Sequence, residues 1–250
     1  LHAALIHAER VHCVFVFDRE ILDLLADKAD RRVEFIWESI VELRVALEAL
    51  GGSLHVLYDT AGIAIPRLAA ALDVDAVFAN HDYEPSALAR DSAVSAALRA
   101  KGVSFETRKD HVIFEKDEVL TAAGKFFSVF TPYKNAWLQK VNDFYLKSYP
   151  VGKYIKALAA RPKAYQLSVP TLADMGFEAT NLSSLHVPTG SPGGLALFED
   201  FFDRMDKYDE ARNFPAIKGP SYLGVHLRFG TVSIRQLAST AYKRMLVGSN

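Results

Sequence analysis

Residues Val11 to Phe17 read VHCVFVF, an almost wholly apolar run, rich in β-branched and aromatic side chains, that Asp18 brings to an end. Such a run predicts a strand buried on both faces, as in a parallel sheet. Downstream, Arg31 to Leu50 place Val33, Ile36, Trp37, Ile40, Leu43 and Leu47 at spacings of three and four, the pattern of an amphipathic helix, and Gly51-Gly52 stop it. Leu54 to Tyr58 (LHVLY) read as a second strand, Ile65 to Leu72 as a short helix and Ala76 to Asn80 (AVFAN) as a third strand. Ser86 is the candidate cap of a helix that runs to Lys101 and closes at Gly102, and Val103 to Thr107 read as a fourth strand. This alternation predicts an α/β fold, a doubly wound, mostly parallel sheet of Rossmann-like type. Sheets of this kind bind ligands in the crevice beyond the carboxyl ends of their strands. Here that crevice takes in Asp18 and the segment Asn80-His81-Asp82-Tyr83-Glu84.

Composition bounds the reading without deciding it. Half of the 250 residues are hydrophobic and 24% are charged, which is ordinary for a globular chain with a sizeable core. The 29 basic and 30 acidic residues leave a formal charge of −1, so overall charge gives no support for nucleic-acid binding and a local basic patch would be required. One cysteine, Cys13, excludes disulfides and cysteine-based metal sites within the chain and fits a reducing cytoplasm. No apolar stretch approaches the roughly 18 residues of a membrane span, so no membrane partner is expected. The chain opens on Leu1 and runs straight into helical sequence, the expected look of a truncated start.

After Trp137 the alternation fails. Pro150, Pro162, Pro170, Pro188 and Pro192 interrupt the sequence, and Val187 to Gly194 (VPTGSPGG) read as a loop by composition. Helical signals return at Leu195 to Asp206 and again from Leu223. The organisation expected is an α/β domain over 1–145, a linker with little regular structure over 146–194, and the start of an all-α domain over 195–250.

Three segments carry the most information. Phe130 to Trp137 (FTPYKNAW) read as a helix start, with Thr131 as cap, Pro132 at the first helical position and Trp137 packed inward. Tyr208 to Pro215 (YDEARNFP) read as a helix end before a proline. In Gly219 to Arg235 (GPSYLGVHLRFGTVSIR), Ser221 opens a helix after a turn. A hydroxyl and the first free backbone N–H groups at such a place form an anion site, although on the residues alone a plain N-cap is the preferred reading.

Taken together and in this order, the segments resemble the DNA photolyase/cryptochrome family. FTPYKNAW matches the motif that closes the family's antenna domain, YDEARNFP matches Y-x-x-x-R-[DN]-x-P, and GPSYLGVHLRFGTVSIR matches G-T-S-x-L-S-x-x-L-x-F-G-x-[IV]-S-x-R. The resemblance implies an α/β antenna-chromophore domain followed by a helical FAD-binding domain. It implies an enzyme that repairs cyclobutane pyrimidine dimers in damaged DNA by electron transfer from light-excited reduced FAD. A cryptochrome-type blue-light signalling photoreceptor is the alternative on the same scaffold, and an unrelated nucleotide-binding α/β module is a second alternative.

Carried over residue by residue, the resemblance implies FAD phosphate contacts at Tyr208, Ser221, Tyr222, Leu223 and Gly224. The chain departs from the pattern at two places: Pro220 replaces a threonine, losing a hydroxyl and an N–H, and Gly224 replaces a serine. For the antenna pigment the candidates are Arg32, Asp82, Glu84 and Arg228. Ala87 stands where the folate-binding subgroup carries a glutamate, and Asp82-Tyr83-Glu84-Pro85 is more similar to the deazaflavin-binding subgroup. A deazaflavin-type antenna is therefore favoured over folate. The resemblance also implies a first strand ahead of this stretch, central in the sheet, whose lack would leave strand edges unpaired. It places the catalytic residues, including the tryptophan relay, outside this stretch, so the piece alone is expected to be inactive. The whole protein is expected to be a cytoplasmic monomer.

Overall fold

The structure, a computed structural model, describes residues 1–165 and 168–248. A short helix, α1 (His2–His7), precedes β1 (Cys13–Asp18), and Asp18 then caps the single turn α2 (Arg19–Leu22) by accepting from the Glu20 N–H. The long helix α3 (Arg31–Ala49) starts behind Asp30, whose carboxylate accepts from the Arg32 N–H. There follow β2 (Leu54–Asp59), α4 (Ala61–Ala71), β3 (Ala76–Asn80), α5 (Pro85–Arg99) and β4 (Ser104–Arg108). The second half is helical: α6 (Phe130–Lys140), α7 (Asp143–Leu146), α8 (Gly190–Phe202), α9 (Tyr208–Ala211), α10 (Gly224–Phe229) and α11 (Ile234–Gly248).

Among the described residues all strand pairing is parallel, as the apolar runs require, yet the strands form two pairs rather than one continuous sheet. In the first pair Cys13 lies opposite Leu54 and Asp18 opposite Asp59. In the second, Ala76 lies opposite Ser104 and Asn80 opposite Arg108. β1 and β3 are each hydrogen-bonded along one edge only, and a cleft of about 860 Å³ separates them, lined by Cys13, Val14, Val77 and Phe78. That cleft corrects the expectation of a strand buried on both faces: Cys13 to Val16 and Ala76 to Ala79 are half-buried because one flank has no neighbouring strand. Val11, read as part of the strand, makes only an isolated bridge to Leu158.

The main core lies between the first strand pair and α3, where Phe17, Val33, Ile40, Leu47, Leu54 and Val56 pack together. Met175 and Phe177 complete it, so the proline-rich stretch is part of the core. This stretch holds four short 3₁₀ turns, Gly152–Ala157, Lys163–Tyr165, Ala173–Met175 and Leu182–Leu185. It is pinned to α3 by Trp37 Nε1 donating to the Pro170 carbonyl at 2.9 Å and by Glu34 accepting from the Thr180 N–H.

Three local expectations need correction. Helix α6 starts two residues early, at Phe130 behind Val129, so neither Thr131 nor Pro132 holds the position assigned to it. Trp137 does pack inward, edge-on to Phe114 at 5.7 Å. Helix α5 begins at Pro85 rather than behind Ser86, since proline at the first helical position forfeits no hydrogen bond. Residues 190–194 of the loop read over 187–194 belong to the start of α8. Its glycines are there for proximity: a Cβ on Gly194 would run into Val232 Cγ1 and lie 2.8 Å from His226 Nδ1.

Beneath this layer lies a pH-sensitive point. His55, on β2, is 4% exposed, and its Nε2 has no hydrogen-bond partner among the described residues. Burial, then the neighbouring His12 and Arg161, lower its pKa to about 4. The unfolded chain holds a proton on this ring below about pH 6.5 and the folded chain does not, so stability is full above that value and falls as pH drops toward 4. The expected loss at pH 5 is about 2 kcal/mol. Urea unfolding at pH 7.5 and pH 5 should show it in the wild type and much less of it in His55→Phe; equal pH dependence in both would refute the assignment.

Candidate functional site

The segment 219–223 is a loop, not a helix terminus. Helix α10 starts at Gly224 with Leu223 as its N-cap, and no side chain caps it. Ser221 therefore does not open the helix. Its Oγ accepts only a long contact from the Leu223 N–H, 3.4 Å. Leu223 anchors the loop by burying its side chain against Val232 and Leu237. Tyr222, exposed, takes a φ of +57°, in the left-handed region that non-glycine residues seldom enter. Leu223 follows at φ −82° and ψ 2°, a turn conformation of the kind in which successive N–H groups line an anion-receiving concavity. Among the described residues the N–H groups of Ser221 and Tyr222 donate to no protein acceptor.

Tyr208 begins α9, half exposed, with its ring edge-on to Phe201 at 5.8 Å and the Arg212 guanidinium 5.6 Å from its centroid. The loop and α9 touch directly through Gly219, which lies so close to the backbone of Ala211 and Arg212 that a Cβ would come within 2.6 Å of the Ala211 carbonyl carbon. Tyr208, Ser221 and Tyr222 thus belong to one neighbourhood, with Leu223 buried beneath it. Gly224 is exposed, and a Cβ there would meet nothing within 4 Å. The donor set (backbone N–H groups, one serine hydroxyl and one phenol) fits a diphosphate-bearing cofactor, with Pro220 contributing no N–H.

The crevice residues divide into two groups. Glu84 and Arg228, 144 residues apart in sequence, form an exposed ion pair at 3.2 Å, joining the end of the β3 loop to α10. Asp82 accepts from the adjacent Tyr83 N–H at 2.7 Å. Arg32 pairs with Asp30 at the start of α3 and makes no ion pair with Asp82 or Glu84 among the described residues. The hydrogen bond from Arg32 holds the Asp30 carboxyl below its ordinary pKa. Ala87 is buried within α5.

Sequence reading missed Glu115 altogether. Its carboxylate receives His81 Nδ1 and the Tyr83 hydroxyl, both at 2.8 Å, while His81 Nε2 reaches Thr107 Oγ1 at 3.0 Å. Burial raises the Glu115 pKa, but hydrogen bonds from His81 and Tyr83 outweigh it and the net shift is downward. Burial, then the Glu115 carboxylate, push the Tyr83 phenol up. This polar knot fixes the loop that carries Asp82 and Glu84. Glu115 stands in a stretch with no periodic pattern, so only its proximity in space marks it.

A parallel α/β layer with a polar crevice at its strand ends, followed by helices that present a glycine-anchored polar loop, defines a two-part α/β protein with a helical second part. The chain belongs to the DNA photolyase family, whose model matches residues 1–153. It is 30% identical over 244 residues to the deoxyribodipyrimidine photo-lyase of Synechococcus sp., an alignment that covers 94% of this chain and 49% of that one. Among solved structures it is similar to a bacterial class III photolyase from Agrobacterium tumefaciens, with TM-score 0.80, 24% identity, and coverage of 95% of this chain and 48% of that one. It is also similar to an archaeal photolyase from Sulfolobus tokodaii described with two FAD molecules, with TM-score 0.73, 24% identity, and coverage of 96% and 50%. The chain spans about half the length of the curated relatives it matches. Among the described residues no helix is long and apolar enough to cross a membrane.

Proposed function

We propose that the protein takes part in light-dependent repair of cyclobutane pyrimidine dimers in DNA, with FAD as its cofactor. The observation that carries this reading is the loop 219–223, whose unengaged N–H groups lie beside the helix that begins with Tyr208, within a chain of the photolyase family. FAD, when bound, supplies light absorption and electron transfer. The residues of this chain bind and orient it: Ser221 and Tyr222 through backbone N–H groups, Ser221 also through its hydroxyl, and Tyr208 through its phenol, while buried Leu223 keeps the loop in place.

Asp82, Glu84 and Arg228 form the proposed edge of an antenna-pigment site, with a deazaflavin-type pigment favoured over folate. Supporting this are the Glu84–Arg228 pair at the crevice and the buried methyl of Ala87 where a folate site needs a carboxylate. Arg32, engaged by Asp30, is the weakest member of that set. We infer a monomer acting on damaged DNA in the cytoplasm.

Disrupting the gene in its own host and assaying lysates on a dimer-containing oligonucleotide under blue light tests the reading. Light-dependent repair should fall by more than tenfold. Unchanged repair, with FAD still bound by the purified protein, would favour the signalling role instead.

A further inference from the structure

The loop that carries Ser221 is held from behind by one guanidinium. Arg204 Nη1 donates to the carbonyl oxygens of Lys218, Gly219 and Pro220 at 2.7, 2.9 and 2.8 Å. Two hydrogens shared among three acceptors gather three consecutive carbonyls onto one cation, something a neutral side chain could not do and a lysine could do only as a point charge. Asp200 fixes the guanidinium in turn: it accepts Arg204 Nη2 at 2.8 Å with one oxygen and Lys218 Nζ at 2.8 Å with the other. The guanidinium lies 5.9 Å from the Tyr222 ring centroid and 5.2 Å from that of Phe201, the ring that packs on Tyr208.

This has a geometric consequence. No peptide bond in the loop is cis, and in a trans peptide the C=O and the following N–H point in opposite directions. Drawing the Pro220 carbonyl onto Arg204 therefore turns the Ser221 N–H away from the guanidinium, toward the side where no protein acceptor waits. Pro220 strengthens the effect by removing an N–H that could compete.

We propose that Arg204 is a positioning residue that sets the loop so that the Ser221 and Tyr222 N–H groups face the FAD phosphates. The inference rests on the FAD reading above and deepens it. It assigns the preorganisation of the cradle to a side chain that never touches the cofactor, as a supporting residue does for a binding site.

The test uses the whole protein and its Arg204→Ala and Arg204→Lys variants, with two readouts: FAD affinity by flavin fluorescence, and amide hydrogen exchange without FAD. Arg204→Ala should raise the FAD Kd at least tenfold and speed exchange within 218–223 alone, and Arg204→Lys should recover part of both. An FAD Kd within twofold of wild type overturns the proposal. So does faster exchange spread over the whole chain, which would mark a merely structural role. If Arg204→Ala does not fold, Arg204→Lys is judged by the same two readouts. A whole wild-type protein that takes no FAD overturns the cofactor reading itself, a result distinct from intact FAD binding that ignores Arg204.

Discussion

Phe35→Ala is expected to destabilise the protein by about 3–5 kcal/mol, the range for emptying a buried aromatic site. Phe35 is 1% exposed on α3, the helix that forms the seam between the α/β layer and the helical half. Its ring lies 5.2 Å from His226, edge-on, and 5.7 Å from Phe229, both on α10. Along the same helix Ser39 Oγ accepts from the Gly190 N–H and Glu42 from the Ser191 N–H, each at 3.0 Å, which ties α8 to α3. Removing the ring leaves a cavity at the centre of that seam and takes away aromatic contacts that area alone does not count. Domain stabilities of about 5–15 kcal/mol make this a large fraction of the whole. Denaturant unfolding should show the midpoint displaced accordingly, with Phe35→Leu losing less than half as much. A loss below about 1 kcal/mol would show that the two halves do not depend on this contact.

Gly219→Ala is expected to cost about 1–3 kcal/mol and to weaken FAD binding at least tenfold. The obstacle is steric: the added Cβ would lie 2.6 Å from the carbonyl carbon and oxygen of Ala211 and 2.8 Å from the nitrogen of Arg212. All three are backbone atoms, so no rotamer change relieves the clash and the loop must separate from α9. That separation divides Ser221 and Tyr222 from Tyr208. Gly224→Ser is the matched comparison, because a Cβ there meets nothing within 4 Å and the change adds a hydroxyl beside the cradle. Flavin titration should find Gly224→Ser equal to or tighter than wild type. If Gly219→Ala binds FAD as wild type does, the cradle does not depend on the loop's contact with α9.

The four parallel strands and their helices were legible because each is a local signal: a short apolar run for a buried strand, and spacings of three and four for α3. The three motifs that mark the family were legible for the same reason, being contiguous in sequence. Pairing was not legible. A strand's own residues do not say whether both of its edges find a neighbour, and β1 and β3 face each other across a cleft. Ser221 carries the same side chain whether it caps a helix or stands three residues before one, so its role as a loop residue is a tertiary fact. Gly194 and Gly219 read as loop formers, yet each is required by what packs against it. Arg32 found its partner two residues away in Asp30, while Glu84 found Arg228 at a separation of 144 residues and Glu115 found His81 at 34. The sequence by itself determined the elements and the family, because these reside in local pattern. The tertiary structure decided which polar groups meet, because hydrogen bonds and ion pairs depend on distance in space.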